Sequence, residues 1–139
     1  MQIQNRRLDR WGENIRKRLR YATLSYGYLK TYMRSFPKSH TIVAFSGRHV
    51  MGWVFALHHE NEVIVSFFTN ERYRKRGVAT RLGQEALKRF HAISVIEWDP
   101  ASKRTFRKLA ENHPSQVKIY QWPTNMPPKC IGCAYCCCH

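Results

Sequence analysis

Between Thr41 and Thr69 the chain holds three runs rich in β-branched and aromatic residues, Thr41 to Ser46, Val50 to His58 and Val63 to Thr69. They are parted only by Ser46-Gly47-Arg48 and His59-Glu60-Asn61-Glu62. Each run has the length of a strand and each separator is polar and turn-length, so three consecutive antiparallel strands are predicted. The rest of the chain is read around this meander.

Downstream, Val78, Leu82, Ala86, Leu87 and Phe90 fall on one helical face of Gly77 to Phe90, and Ile93 to Trp98 reads as a strand. Asp99 then stands as N-cap before Pro100, opening a helix that runs through Phe106 and Leu109 to about Glu111. Val117 to Trp122 is a last strand, and Pro123, Pro127 and Pro128 break any regular structure after it. Upstream, Leu8, Ile15, Leu19, Ala22, Tyr26, Leu29 and Met33 form an amphipathic stripe within Asn5 to Phe36, which Pro37 ends. Gly12 and Gly27 each cost about 1 kcal/mol inside a helix, so this part reads equally as one helix or as two joined near Ser25 to Gly27. The expected organisation is a single domain over 1–122, with a basic helical part at 1–36 and a core at 41–122, and then a Pro/Cys-rich tail at 123–139.

A length of 139 residues suits one core, and 43% hydrophobic with 13% aromatic residues is too apolar for a disordered chain. No apolar run approaches the roughly 20 residues that span a bilayer, and the basic start lacks the features of a secretory signal. All five cysteines fall between Cys130 and Cys138, leaving none to staple the first 129 residues. A soluble, cytoplasmic protein is expected. The formal charge of +15, from 24 Lys and Arg against 9 Asp and Glu, favours anionic ligands: nucleic acid, an acidic protein surface or a polyphosphate cofactor.

Local arrangement separates these. In Phe67-Phe68-Thr69-Asn70-Glu71-Arg72-Tyr73-Arg74-Lys75-Arg76-Gly77-Val78-Ala79 a strand ends, a basic turn comes next, and a helix opens on small residues. Unpaired N–H groups at a helix start suit phosphate oxygens. Gly77 and Ala79 allow close approach, and Arg74, Lys75 and Arg76 add charge-assisted contacts.

Here the chain resembles the GNAT (GCN5-related N-acetyltransferase) superfamily, whose cofactor signature is Gln or Arg, two residues, Gly, one residue, then Gly or Ala. Arg74-Lys75-Arg76-Gly77-Val78-Ala79 meets it. The resemblance covers about Thr41 to Trp122. It implies an α+β fold with a mixed, mostly antiparallel sheet flanked by helices, the N-terminal helices lining the acceptor site. It also implies acetyl-CoA as cofactor, its pantetheine arm paired to the strand ending at Phe68 and Thr69. Asp99-Pro-Ala-Ser102-Lys-Arg-Thr-Phe106-Arg-Lys108 is similar to the family's helix beside the cofactor thiol, which assigns Asp99, Ser102 and Phe106 to the cofactor site together with Val78. The sequence departs from the family there: Asp99 replaces Asn, Ser102 replaces Ala, and Phe106 stands where many members carry the tyrosine that protonates the departing thiolate.

Transfer to an amine needs that amine neutral, and a lysine-like amine with a pKa of about 10.4 is almost wholly protonated at pH 7. Glu97 is the first candidate base, with Glu62 and His58 behind it. Tyr73 and Tyr120 are candidate acids in place of the missing tyrosine, and the resemblance puts an oxyanion-binding strand N–H near Phe68 to Asn70.

Two further features stand apart. Arg6, Arg7, Arg10, Arg16, Lys17, Arg18 and Arg20 crowd the first helical segment, where they could meet an acidic protein or nucleic acid, with Trp11 and Tyr21 for stacking. Cys130, Cys133, Cys136 and His139 have metal-ligand spacing, although a flexible thiol-rich tail is the stronger expectation. The leading functional expectation is an N-acetyltransferase acting on an amine, on a protein for example. Its competitors are a catalytically silent GNAT fold used for binding or assembly, of the compact kind found in phages and placed in host cytoplasm or virion, and a basic nucleic-acid-binding module.

Overall fold

The meander forms as expected in a computed structural model, which describes residues 1–21, 34–97 and 100–121, with the backbone alone for 20, 21, 96, 97, 100–102 and 121. In chain order the elements are β1 (Gln2–Arg7), a 3-10 turn (Leu8–Arg10), α1 (Glu13–Tyr21), β2 (His40–Ser46), β3 (His49–His59) and β4 (Glu62–Thr69). A second 3-10 turn (Glu71–Tyr73) comes next, then α2 (Val78–Phe90), β5 (Ile93–Glu97), α3 (Pro100–Asn112) and β6 (Val117–Gln121). The six strands make one sheet in sequence order, antiparallel from β1 to β4 and parallel from β4 to β6. This is the mixed α+β sheet of the GNAT-like expectation.

Both faces of the sheet are covered, which is why β2 and β3 read as continuous apolar runs and not as strict alternation. Ile42, Ala44, Val54, Ala56, Val65 and Val95 pack on one side against Val78, Leu82, Ala86 and Leu87 of α2 and Phe106 and Leu109 of α3. Val43, Phe45, Trp53, Phe55, Leu57 and Phe68 pack on the other against Leu8, Trp11 and Leu19, which brings α1 to the opposite face. Gly52 lies where β3 meets β4 and α2. A Cβ there would come 2.7 Å from the Phe68 carbonyl oxygen and 3.1 Å from Val78 Cγ1, so only glycine lets the three elements approach this closely.

One expectation is corrected. Gln2–Arg7 is not helical but a strand, paired residue by residue with β2 from Gln2↔Phe45 to Arg7↔His40. Its polar sequence carries little strand propensity. The open edge of β2 supplies the backbone partners, and pairing overrides local preference. Leu8, taken for the first residue of the helical stripe, sits in the 3-10 turn, and helix begins only at Glu13. The rest of that stripe, from Ala22 to Met33, lies outside the described residues, as do Trp98, Asp99, Trp122 and the cysteine tail.

Trp11 also differs from expectation. It is buried, its indole donates to Thr41 Oγ1 at 2.6 Å, and that hydroxyl donates to the Arg6 carbonyl at 2.6 Å. Phe45, 5.8 Å between ring centroids, and the Arg6 guanidinium, 5.1 Å from the ring centroid, cover the buried indole, so no face is left for stacking on a base. The side chain of Tyr21 lies outside the described residues.

Candidate functional site

The sheet opens between β4 and β5. These strands pair only at Ile64↔Ser94 and Val65↔Val95, so from Ser66 to Thr69 the β5 side of β4 has no strand partner. Asn70 N–H donates to Met51 O of β3 at 2.8 Å. Strand alternation then turns the backbone of Phe68 toward β3, and that of Phe67 and Thr69 toward the gap. With Asn70 N–H engaged, Thr69 is the residue of the Phe68 to Asn70 segment whose N–H faces the opening.

The chain leaves β4 through a tight turn. Asn70 Oδ1 accepts from Arg72 N–H at 3.2 Å, holding the 3-10 turn, and Tyr73 is buried beneath the guanidinium groups of Arg72 and Arg76, 5.9 and 5.7 Å from its ring centroid. Lys75 (φ 63°) and Gly77 (φ 76°) both take the left-handed conformation, which reverses the chain so that α2 starts with its N-terminus at the mouth of the gap. The first intrahelical bond runs from Arg81 N–H to Gly77 O at 3.0 Å, so the N–H groups of Gly77, Val78, Ala79 and Thr80 have no acceptor within the helix. No side chain caps this terminus and its first turn carries no acidic residue. Val78 is buried in the core and fixes the helix start, while Arg74, Lys75 and Arg76 are exposed around it. Free backbone donors and a partial positive helix end thus follow directly on three exposed cations, a donor set of the kind that suits a diphosphate.

Phe106 is buried and packs on Phe67 with ring centroids 5.0 Å apart, bridging β4 and α3 beside the gap. It fills space there and has no proton to give. Ser102 is described only as backbone in α3. Glu97 ends β5 opposite Gln121, two residues past the last β4–β5 pair; its side chain lies outside the described residues.

Glu62 and Tyr120, distant in sequence, meet in space. Tyr120 pairs with Ile96 in β6, level with the opening, and its hydroxyl reaches back to donate to Glu62 Oε1 at 2.6 Å. Ser94 Oγ donates to the same oxygen at 2.9 Å, and Lys118 Nζ stands 3.8 Å from it and 4.7 Å from the Tyr120 ring centroid. The Tyr120 hydrogen bond, with those of Ser94 and the Lys118 charge, outweighs burial and holds the Glu62 carboxyl below its usual range. Burial, then the Glu62 contact, pushes the Tyr120 phenol up. At neutral pH the pair is therefore a carboxylate and a protonated phenol. Ser94, Lys118 and Phe67 were absent from the sequence-derived set; a lone hydroxyl in the apolar run Ile93 to Ile96 is the signal that could have found Ser94.

The remaining candidates lie elsewhere. His58 packs on Phe90 at the far end of α2, 5.9 Å between ring centroids. Cys130, Cys133, Cys136 and His139 lie outside the described residues, and among the described residues no group of three or more His, Cys, Asp or Glu could hold a metal ion. No helix among the described residues is long and apolar enough to cross a membrane.

No curated protein matches the chain. A family model, described as the acetyltransferase (GNAT) family, matches residues 8–111, which takes in α1, the opened β4–β5 pair, the Gly77 turn and most of α3. That span contains every element that shapes the gap, and it establishes that the chain belongs to the acetyltransferase (GNAT) family.

Proposed function

We propose that this protein transfers an acetyl group from acetyl-CoA to an amine, on a protein or peptide. The observation that carries the reading is the uncapped start of α2 at Gly77 beside the unpaired edge of β4. The N–H groups of Gly77 to Thr80, with Arg74, Lys75 and Arg76, hold the diphosphate; the backbone of Phe67 and Thr69 takes the amide arm as a strand would; and Phe68, Val78 and Phe106 keep the surrounding walls in place. Held there, acetyl-CoA supplies a thioester that an amine attacks only in its neutral form.

The residues of the chain have to supply the rest. Glu97, in β5, is assigned to take the proton from the amine, and with no hydroxyl at Phe106 the coenzyme A thiolate released when the C–S bond breaks takes its proton from solvent. Glu62 lies four residues before Ser66, about 13 Å along the strand, too far for direct proton transfer at the gap, so its carboxylate serves to attract and position a cationic acceptor. Tyr120 holds Glu62 in place with its proton directed at that carboxylate, and Asp99 and Ser102 are assigned to the cofactor side by the resemblance. Tyr73 supports the turn from below. Thr69 N–H stabilises the oxyanion.

Phe106 favours a second reading, a GNAT fold that binds without catalysis, since the position of the proton donor carries no hydroxyl. Isothermal titration with acetyl-CoA, and then turnover on a panel of amines, separates the two. Binding with turnover supports the transferase, binding without turnover supports the silent fold, and absence of binding at high micromolar cofactor removes the transferase.

A further inference from the structure

One end of the sheet gathers cations beside a single carboxylate, while at the other carboxylates and cations are mixed. At one end lie the β2–β3 turn with Arg48 and the segment after β4 with Arg72, Arg74, Lys75 and Arg76, joined by the Asn70 to Met51 hydrogen bond. The last turns of α1 belong to the same end, because Arg18 Nη1 donates to the Arg48 carbonyl oxygen. All of these cations are exposed, as are Arg16 and Lys17 beside Arg18, and the one carboxylate within the two turns is Glu71. At the opposite end, where β3 finishes and β4 begins, Glu60 and Glu62 stand with His40, His58 and His59, and with Lys118 beside Glu62 and Arg89 beside His40.

From this arrangement we infer that the arginine-rich end, through Arg18, Arg48 and Arg72, docks an acidic segment of a protein partner. Resting on the transferase reading, that segment flanks the acceptor amine. The cofactor site already takes Arg74, Lys75 and Arg76. Among the described side chains at this end, Arg16, Lys17, Arg18, Arg48 and Arg72 remain. Among the described residues no Trp, Tyr or Phe is exposed at this end to stack on a base: Trp11 and Tyr73 are buried. A few side-chain carboxylates, each taken by one guanidinium fork, match what is left.

The test uses the full chain and two fluorescein-labelled peptides with one lysine and a free amino terminus, flanked by three Glu or by three Gln. Anisotropy measures their binding with and without coenzyme A, and acetyl transfer is measured separately. The acidic peptide should bind at least about tenfold more tightly, lose that advantage at high salt and with Arg48→Glu, and regain it with Arg48→Lys, while the affinity for coenzyme A stays unchanged. Equal binding of the two peptides overturns the inference and leaves the transferase reading standing. Preferential binding without acetyl transfer keeps the docking surface and removes the transferase reading. A 30-base-pair duplex DNA that displaces the acidic peptide at lower concentration than unlabelled peptide does overturns the inference in favour of nucleic acid.

Discussion

The hydroxyl of Tyr120 and the carboxylate of Glu62 lie 2.6 Å apart, bridging β6 to β4 across the intervening β5. Ser94 of β5 completes the bridge. Because the Glu62 carboxyl is held below its ordinary value of 4.5, the unfolded chain binds a proton there first as pH falls. The stability it contributes is full above that value and disappears as pH drops through the folded one. Tyr120→Phe should therefore raise the Glu62 pKa and cost about 1 kcal/mol at pH 7, with less loss near pH 3. Carbonyl NMR titration and urea melts at both pH values read these effects.

Gly77 caps α2 at φ 76° with open space around its Cα. Gly77→Ala should cost about 1 kcal/mol through backbone strain alone. Gly77→Glu adds a carboxylate at the proposed diphosphate site, and acetyl-CoA affinity should fall more than about tenfold beyond the Gly77→Ala effect. Calorimetric binding with thermal melts of both variants separates strain from charge; equal affinities for the two variants would sink the placement of the site.

At Gly52 a methyl group meets the Phe68 carbonyl, which cannot swing aside as a side chain can. Gly52→Ala should destabilise the fold by about 1–3 kcal/mol and displace the end of β4. Amide chemical shifts of Phe67 to Asn70 should move with it, and unchanged shifts would show that the strand absorbs the methyl elsewhere.

His40 receives a hydrogen bond from Arg89 Nε at 3.2 Å, and its ring meets Phe90 edge-on. Burial, then the charges of Arg89 and His58, hold its pKa below 6.5, and Arg7 is its backbone partner on β1. The unfolded chain again takes up the proton first, so stability should decline as pH falls through 6.5 toward the folded value, by less than about 1 kcal/mol. Urea midpoints at pH 7.5 and 5.5 should differ for the parent chain and less so for His40→Gln.

The meander and the Gly77 helix were legible because both are local: strand-length apolar runs, polar turns, and a 3.6-residue stripe starting at a glycine. β1 was not, since Gln2–Arg7 is polar and becomes a strand only because β2 has an edge to pair. Trp11 looked available from its basic neighbours, yet its indole is committed to Thr41, 30 residues away. The Glu62 cluster joins residues 32 and 58 positions apart through parallel strand register, information that no sequence window contains. The basic turn was visible, but the meeting of Arg18 with Arg48 depends on where α1 crosses the sheet.

Two rungs join the N-terminal and C-terminal halves of the sheet. Along that seam the Glu62 bridge ties the closed end, and the Gly77 turn lies at the open one. Whatever lodges in the gap supplies the missing rungs, so it should clamp β5 and β6 to the meander and slow amide exchange in Val117 to Gln121, well away from anything it touches.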